Sequence, residues 1–279
     1  MYNVFIDGAE GTTGLKIHEY FKKRDDINII RIDEAKRKDL DERLAMIKKA
    51  DISFLCLPDA ASSEIAAAAP AECRILDTST AHRTNDDWVY GMPELSKGQR
   101  QKIKESNRVA VPGCHATGAI LIIRPLLEAG YINADYPFSV FSLTGYSGGG
   151  KKMIADYESC RQVRSPGQYA ITQKHKHLPE IVHVCGLEAP PVFQPIVIDF
   201  FSGMLVSLPL QQSMLAKPFS LAETGKLYRD FFNGQPLVRV LPENPEPAVD
   251  SVRLSGMDGM ELFVTGNDDR MIAYARFDN

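Results

Sequence analysis

The sequence predicts an α/β protein in two parts: a parallel sheet covered by helices, then an α+β region with a mixed or antiparallel sheet. Three observations carry this expectation. Over roughly the first 110 residues, short β-rich runs alternate with stretches of helical spacing, as a parallel sheet requires. A glycine-rich turn joins the first such run to the first helix. Beyond about residue 130, strand-like runs follow one another with few helices between them.

Residues 2–6 (YNVFI) read as the first strand, and Leu15–Lys23 as an amphipathic helix. Residues 27–32 make a second strand, and 39–49 a helix carrying Leu40, Leu44 and Ile47. Residues 51–57 form a third strand ended by Pro58, and the alanine-rich 60–69 a helix stopped by Pro70. Residues 73–77 give a fourth strand, a polar irregular stretch runs to Leu95, and 96–106 read as a charged helix. Arg108–Val111 is a fifth strand, followed by an apolar helix through Leu127. In the second part, 138–144 and 196–208 are long β-like runs and 220–233 is helical. Strand pieces recur at 237–241, 251–254, 260–265 and 270–277.

Composition bounds the function. The chain has 279 residues, 44% hydrophobic and 24% charged, within the range of globular proteins and long enough for two domains. No apolar run reaches the ~20 residues of a bilayer span. The first residues lack the regions of a signal peptide, so a cytoplasmic location is expected. A net charge of -4 without long runs of one sign argues against a nucleic-acid surface. The five cysteines (56, 73, 114, 160, 185) are odd in number and contain no CxxC pair, which excludes a disulfide framework. Most are expected to be small buried hydrophobes, with Cys56 and Cys73 in strands.

Gly8, Gly11 and Gly14 form a GxxGxxG turn between strand and helix, with Thr12 and Thr13 inside it. Such a turn brings backbone N–H groups and a helix N-terminus against a pyrophosphate, the signature of a Rossmann-like dinucleotide site. Asp33 after the second strand favours a free ribose 2′-hydroxyl, whereas Arg31, Lys36, Arg37 and Lys38 favour a 2′-phosphate. The residues alone leave NAD and NADP open.

Cys114 lies in Pro-Gly-Cys-His-Ala-Thr-Gly (112–118), at the start of the apolar helix. A helix N-terminus stabilises a thiolate, and the N–H groups that follow can hold an oxyanion. His115 is adjacent and points elsewhere, so a distant histidine is the better base. The segment Lys174–Glu180 supplies two, His175 and His177, with Pro179 placed to begin a helix and Glu180 in its first turn. The His-x-His pair has no third ligand nearby, and no metal is expected. Ser147, Gly148 and Lys151, in a glycine- and lysine-rich segment after a strand, suit an anion.

Taken together, GAEGTTG (8–14), DTSTAHRT (77–84), YGMPEL (90–95), PGCHATGAI (112–120), SGGGKK (147–152) and KHKHLPEI (174–181) resemble the N-acetyl-gamma-glutamyl-phosphate reductase family. The likeness is to its shorter-chain subgroup, within the aspartate-semialdehyde dehydrogenase-like superfamily. The resemblance implies an NADPH-dependent acyl-phosphate reductase of arginine biosynthesis, working through a cysteine thioester; the strand-rich second part must cover its sheet, and a homo-oligomer is expected. The resemblance also implies Cys114 as nucleophile, His177 or His175 as acid/base, and Gly8, Gly11, Thr12, Thr13 and Gly14 on the cofactor. Arg83, Ser147, Gly148, Lys151 and Glu180 are implied on the substrate. Residues 1–113 are then the NADP-binding domain and 114–279 the catalytic and oligomerisation domain. Members of the family continue beyond the position of Asn279 into a final helix that returns to the first domain. Its absence here points to a truncation or to a tail missing from this sequence; a chain that ended at Asn279 would be expected to lose cofactor affinity and activity. Other readings are a reductase of aspartyl or N-acetyl-aminoadipyl phosphate, a cysteine hydrolase, or a non-catalytic nucleotide-binding regulator.

Overall fold

The computed structural model describes residues 1–9, 11–159 and 162–279. Cys160 therefore lies outside the described residues. Two compact units form, Met1–Gly113 and Cys114–Asn279.

The first unit is built from β1 (Tyr2–Asp7), α1 (Thr12–Phe21), β2 (Ile27–Ile30), α2 (Leu40–Lys49), β3 (Ile52–Leu55), α3 (Asp59–Ala68), β4 (Ile75–Asp77), β5 (Val89–Tyr90), α4 (Gln99–Glu105) and β6 (Arg108–Ala110). Its six strands are all parallel, in the order β2-β1-β3-β4-β6-β5. Phe5, Leu55 and Ile75 project from the sheet onto Ile47 of α2 and Ile65 of α3, each at most 1% exposed. The two-residue β5 lies in the stretch expected to be irregular. It is too short and too polar in its flanks to show a period. Cys56 and Cys73 stand just outside β3 and β4 and are half-buried, whereas Cys185 is buried. The expectation of buried strand cysteines fails at the first two because each marks the turn beside its strand.

The second unit contains α5 (Cys114–Glu128), β7 (Ser139–Gly145), α6 (Gly150–Glu158), β8 (Gly167–Gln168), α7 (His177–Cys185), β9 (Val192–Ile198), β10 (Met204–Gln211), α8 (Leu221–Phe231), β11 (Val238–Val240), β12 (Met260–Gly266) and β13 (Arg270–Phe277). Its mixed sheet runs β11-β12-β13-β10-β7-β9-β8. β10 pairs antiparallel with β7 and β13, whereas β7 and β9 are parallel. The run 196–208 is two strands, with the reversal at 199–203. Residues 251–254 form turns rather than a strand: Asp250 accepts the Val252 N–H, and Ser255 N–H closes on Val252 O.

Helix α5 is apolar almost all round, with Ile120, Ile122 and Ile123 fully buried, as a core helix must be. It lies so close to the sheet that a Cβ on Gly118 would stand 2.6 Å from Val206 Cγ2 and 2.8 Å from Phe277 Cε1. Tyr228 of α8 ties in by donating its hydroxyl to Ile122 O at 2.8 Å. The opposite face of the sheet is less covered. Phe141 on β7 is 36% exposed and Val192 on β9 is 55% exposed, and the register places them on the same side.

Candidate active site

Two sites take shape, one in each unit. In the first, β1 ends at Asp7 and the chain turns through Gly8 at φ +83°. A side chain at Gly8 would stand 2.3 Å from Cys56 O, and one at Gly14 would stand 2.5 Å from Gly8 O. The turn closes only without them. Gly11 N–H bonds back to Gly8 O at 2.9 Å, and Gly11 precedes α1 without capping it by a side chain. The first-turn N–H groups of Thr12, Thr13 and Gly14 are thus placed for an anion.

Beside this loop opens a cavity of about 550 Å³ lined by Gly8, His18, Arg31, Arg37, Lys38 and Arg43 among others. Asp33 is turned away: its carboxylate accepts the Ala35 N–H and caps the short turn Glu34–Lys36. Lys36 pairs with Glu42. Arg37 pairs with Glu34, which leaves Arg31 and Lys38 as the cations offered to a ligand at the end of β2. The loop, the cavity and these two cations fit a dinucleotide carrying a 2′-phosphate. Asp7, at the floor of the cavity, was not foreseen. Burial pushes its carboxyl up to about 6, only partly offset by Arg43 at 3.5 Å and by the Gly8 N–H.

Arg83 is buried in the same unit. Its Nε donates to Val111 O and its Nη2 to Thr78 O, both at 2.9 Å. At least two of its nitrogens thus brace the backbone just past the C-terminal ends of the neighbouring strands β6 and β4. Nearby, buried Asp77 accepts from Ser62, from Ser79 N–H and hydroxyl, and meets His82 Nδ1 at 2.6 Å.

In the second unit, Cys114 is the first residue of α5 and half-buried. The positive end of the helix faces its sulfur and favours a thiolate. His177 opens α7 and is 3% exposed. The helix begins two residues before Pro179, which sits inside its first turn with Glu180. The ligating atoms of Cys114, His115 and His177 all lie within 4.8 Å of one another. His175 joins them, with ring centroids 4.8 Å from His177 and 5.4 Å from His115.

The three histidines are not equivalent. His115 is buried, with Nδ1 2.6 Å from Ser142 Oγ and Nε2 2.7 Å from Tyr169 Oη. Burial, with His175 and Lys176 nearby, lowers its pKa to about 3, so the ring is neutral. His175 is held below the usual range, at about 4, by burial and then by Lys176. Its Nδ1 accepts the His177 N–H at 3.2 Å. Glu180 is buried one turn after His177, on the same face of α7.

Ser147 and Gly148 lie in a tight turn after β7, and Lys151 is exposed in the first turn of α6. Ser147 Oγ accepts from Asn279 Nδ2 at 3.0 Å. The segment is thus a turn and a helix, not an open loop. Ser142 and Tyr169 were missed. Ser142 could have been found as an inward position of β7, where a hydroxyl is unusual. Tyr169 stands in an irregular stretch and offers no periodic signal.

Comparison with known proteins places the chain. "Semialdehyde dehydrogenase, NAD binding domain" matches residues 3–106, and "Semialdehyde dehydrogenase, dimerisation domain" matches 114–279. N-acetyl-gamma-glutamyl-phosphate reductases of Brucella ovis and Brucella canis are each 44% identical over 275 residues, covering 95% of this chain and 89% of theirs. Among solved structures, aspartate semialdehyde dehydrogenase II of Vibrio cholerae superposes with a TM-score of 0.71 at 14% identity, over 100% of this chain and 93% of that one. The enzyme of Francisella tularensis gives 0.70 at 13%, over 100% and 95%. These two show the shared fold. The chain belongs to the N-acetyl-gamma-glutamyl-phosphate reductase family of semialdehyde dehydrogenases.

Proposed function

We propose that the protein reduces N-acetyl-gamma-glutamyl phosphate to the semialdehyde and phosphate in arginine biosynthesis, with Cys114 as the nucleophile. The observation that carries this reading is the thiol at the start of α5 with His177 and His115 nitrogens within 4.8 Å. The Cys114 thiolate attacks the acyl carbon, the C–O bond to phosphate breaks, and a thioester remains. N–H groups of the first turn of α5 stabilise the oxyanion on the way. NADPH, when bound, supplies the hydride that reduces this thioester. The thiohemiacetal then collapses, releasing the aldehyde and the thiolate. Dividing the reduction this way replaces one difficult step by two easier ones.

His177 is the proton-handling group. Its ring lies within 4.8 Å of the Cys114 sulfur, whereas His115 has both nitrogens hydrogen-bonded to Ser142 and Tyr169. In the first unit, Gly8, Gly11, Thr12, Thr13 and Gly14 hold the pyrophosphate, and Arg31 and Lys38 the 2′-phosphate. Arg83, Glu180, Ser147, Gly148 and Lys151 are assigned to the substrate side. Residues 1–113 then serve the cofactor and 114–279 the chemistry and assembly. The half-exposed sheet face bearing Phe141 and Val192 is the surface for a homo-oligomer. A cytoplasmic location is part of this proposal. Among the described residues no helix is long and apolar enough to cross a membrane.

The test is the reverse reaction, with N-acetyl-glutamate semialdehyde, phosphate and NADP, followed by nicotinamide absorbance. Phosphate-dependent NADPH formation is expected in the native chain and absent in Cys114→Ser. His177→Asn should lower kcat by about 10²–10⁴, while His175→Asn loses far less. Turnover without nicotinamide would identify a hydrolase. NADPH binding without turnover would identify a regulator. A faster reaction with aspartyl or N-acetyl-aminoadipyl semialdehyde would reassign the substrate.

A further inference from the structure

The segment His175–His177 by itself has no third ligand, but the fold brings Cys114 and His115 to His177. Their sulfur and nitrogens lie within 4.8 Å of one another. We propose that Cys114, His115 and His177 form a binding site for a soft or borderline divalent cation, zinc above all, whose occupancy reversibly silences the thiol.

The donor set is one sulfur and two imidazoles, which suits zinc and excludes magnesium or calcium. In a tetrahedral zinc site the donors stand about 3.5 Å apart. A closure of roughly an ångström is therefore needed. Cys114 and His177 are the first residues of their helices, where side-chain rotation disturbs no helical turn. The outer shell is already present. Ser142 Oγ holds one His115 nitrogen and Tyr169 Oη the other; the metal displaces the hydroxyl from the nitrogen it takes, and the remaining hydroxyl keeps the ring oriented. Water completes the fourth position. On binding, the S–H bond gives its proton to solvent, a sulfur–metal bond forms, and no electron moves. The site stands on geometry; only the inhibition rests on Cys114 being the nucleophile.

The experiment titrates the chelator-treated, full-length protein with cobalt(II) chloride, then with zinc sulfate. Thiolate-to-cobalt charge-transfer absorption and the intense visible bands of tetrahedral cobalt are expected, bleached by zinc. Cys114→Ser should remove the charge-transfer band, and His177→Gln should weaken cobalt binding on the order of tenfold or more. Should either variant fail to fold, protection of the native Cys114 peptide from iodoacetamide by zinc gives the same answer by mass spectrometry. Absence of the bands, or bands that survive in a folded Cys114→Ser, overturns the proposal. Zinc inhibition without the bands also overturns it, since the ion then acts elsewhere. Bands together with undiminished turnover uphold the site and overturn the assignment of Cys114 as nucleophile.

Discussion

Tyr169 Oη and His115 Nε2 stand 2.7 Å apart, with Ser142 Oγ 2.6 Å from the other ring nitrogen. A histidine that is 3% exposed is thereby satisfied at both ends. Tyr169→Phe leaves one buried nitrogen without that partner. It should cost about 1–3 kcal/mol of unfolding free energy, measured by urea denaturation. An unchanged midpoint would mean that water replaces the hydroxyl without loss.

Acid stability follows from the same pocket. His115 and His175 stay neutral in the fold, at about 3 and about 4, while unfolded histidine titrates near 6.5. Below pH 6.5 the unfolded chain binds more protons at these two positions, so stability falls as pH drops toward 4. Asp7 opposes this. Its folded value of about 6 exceeds the ordinary carboxyl value of 3.8, so between these limits the folded chain binds more protons there. Two groups outweigh one, and a net loss on acidification is expected. Asp7→Asn should steepen it. Unfolding midpoints between pH 7 and 4 read both slopes, and a flat native profile would refute the assignment of neutral histidines.

Coenzyme preference should reside in the cations at the end of β2. Arg31→Ala with Lys38→Ala should lower the kcat/KM ratio of NADPH over NADH by about 10- to 100-fold, the size of one or two charge-assisted hydrogen bonds. Steady-state kinetics with the two coenzymes measures it. Equal losses with both coenzymes would place the effect on the loop as a whole.

The outer face of the second sheet should carry assembly. Phe141→Glu puts a charge on that face and should yield monomers in sedimentation equilibrium, since an unpaired charge cannot be buried cheaply at an interface. The circular dichroism should be unchanged, because Phe141 points away from the core of its own unit. A native-sized oligomer in the variant would exclude this face as the contact.

The architecture was legible because period and punctuation agreed. Pro58 and Pro70 bound β3 and α3 as expected, and the GxxGxxG turn announced α1. What escaped has physical reasons. β5 is two residues long and carries no period. At 251–254 an apolar-polar alternation is overridden by the Asp250 side chain closing a turn. Cys114 was recognised by its local setting, a glycine before a helix. The Ser142–His115–Tyr169 chain was not, because its members lie 27 and 54 residues apart and meet only through packing. The cofactor question turned on Asp33, whose role as a turn cap no composition reveals.

Gly118 has a consequence for how such an enzyme diversifies. With no room for even a methyl group between α5 and the sheet, the helix that presents Cys114 is fixed in height and tilt. A lineage exploring new substrates cannot do so by sliding its nucleophile. Innovation is channelled to the segments that carry Tyr169 and His175, where the chain lies outside regular helices and long strands and tolerates change.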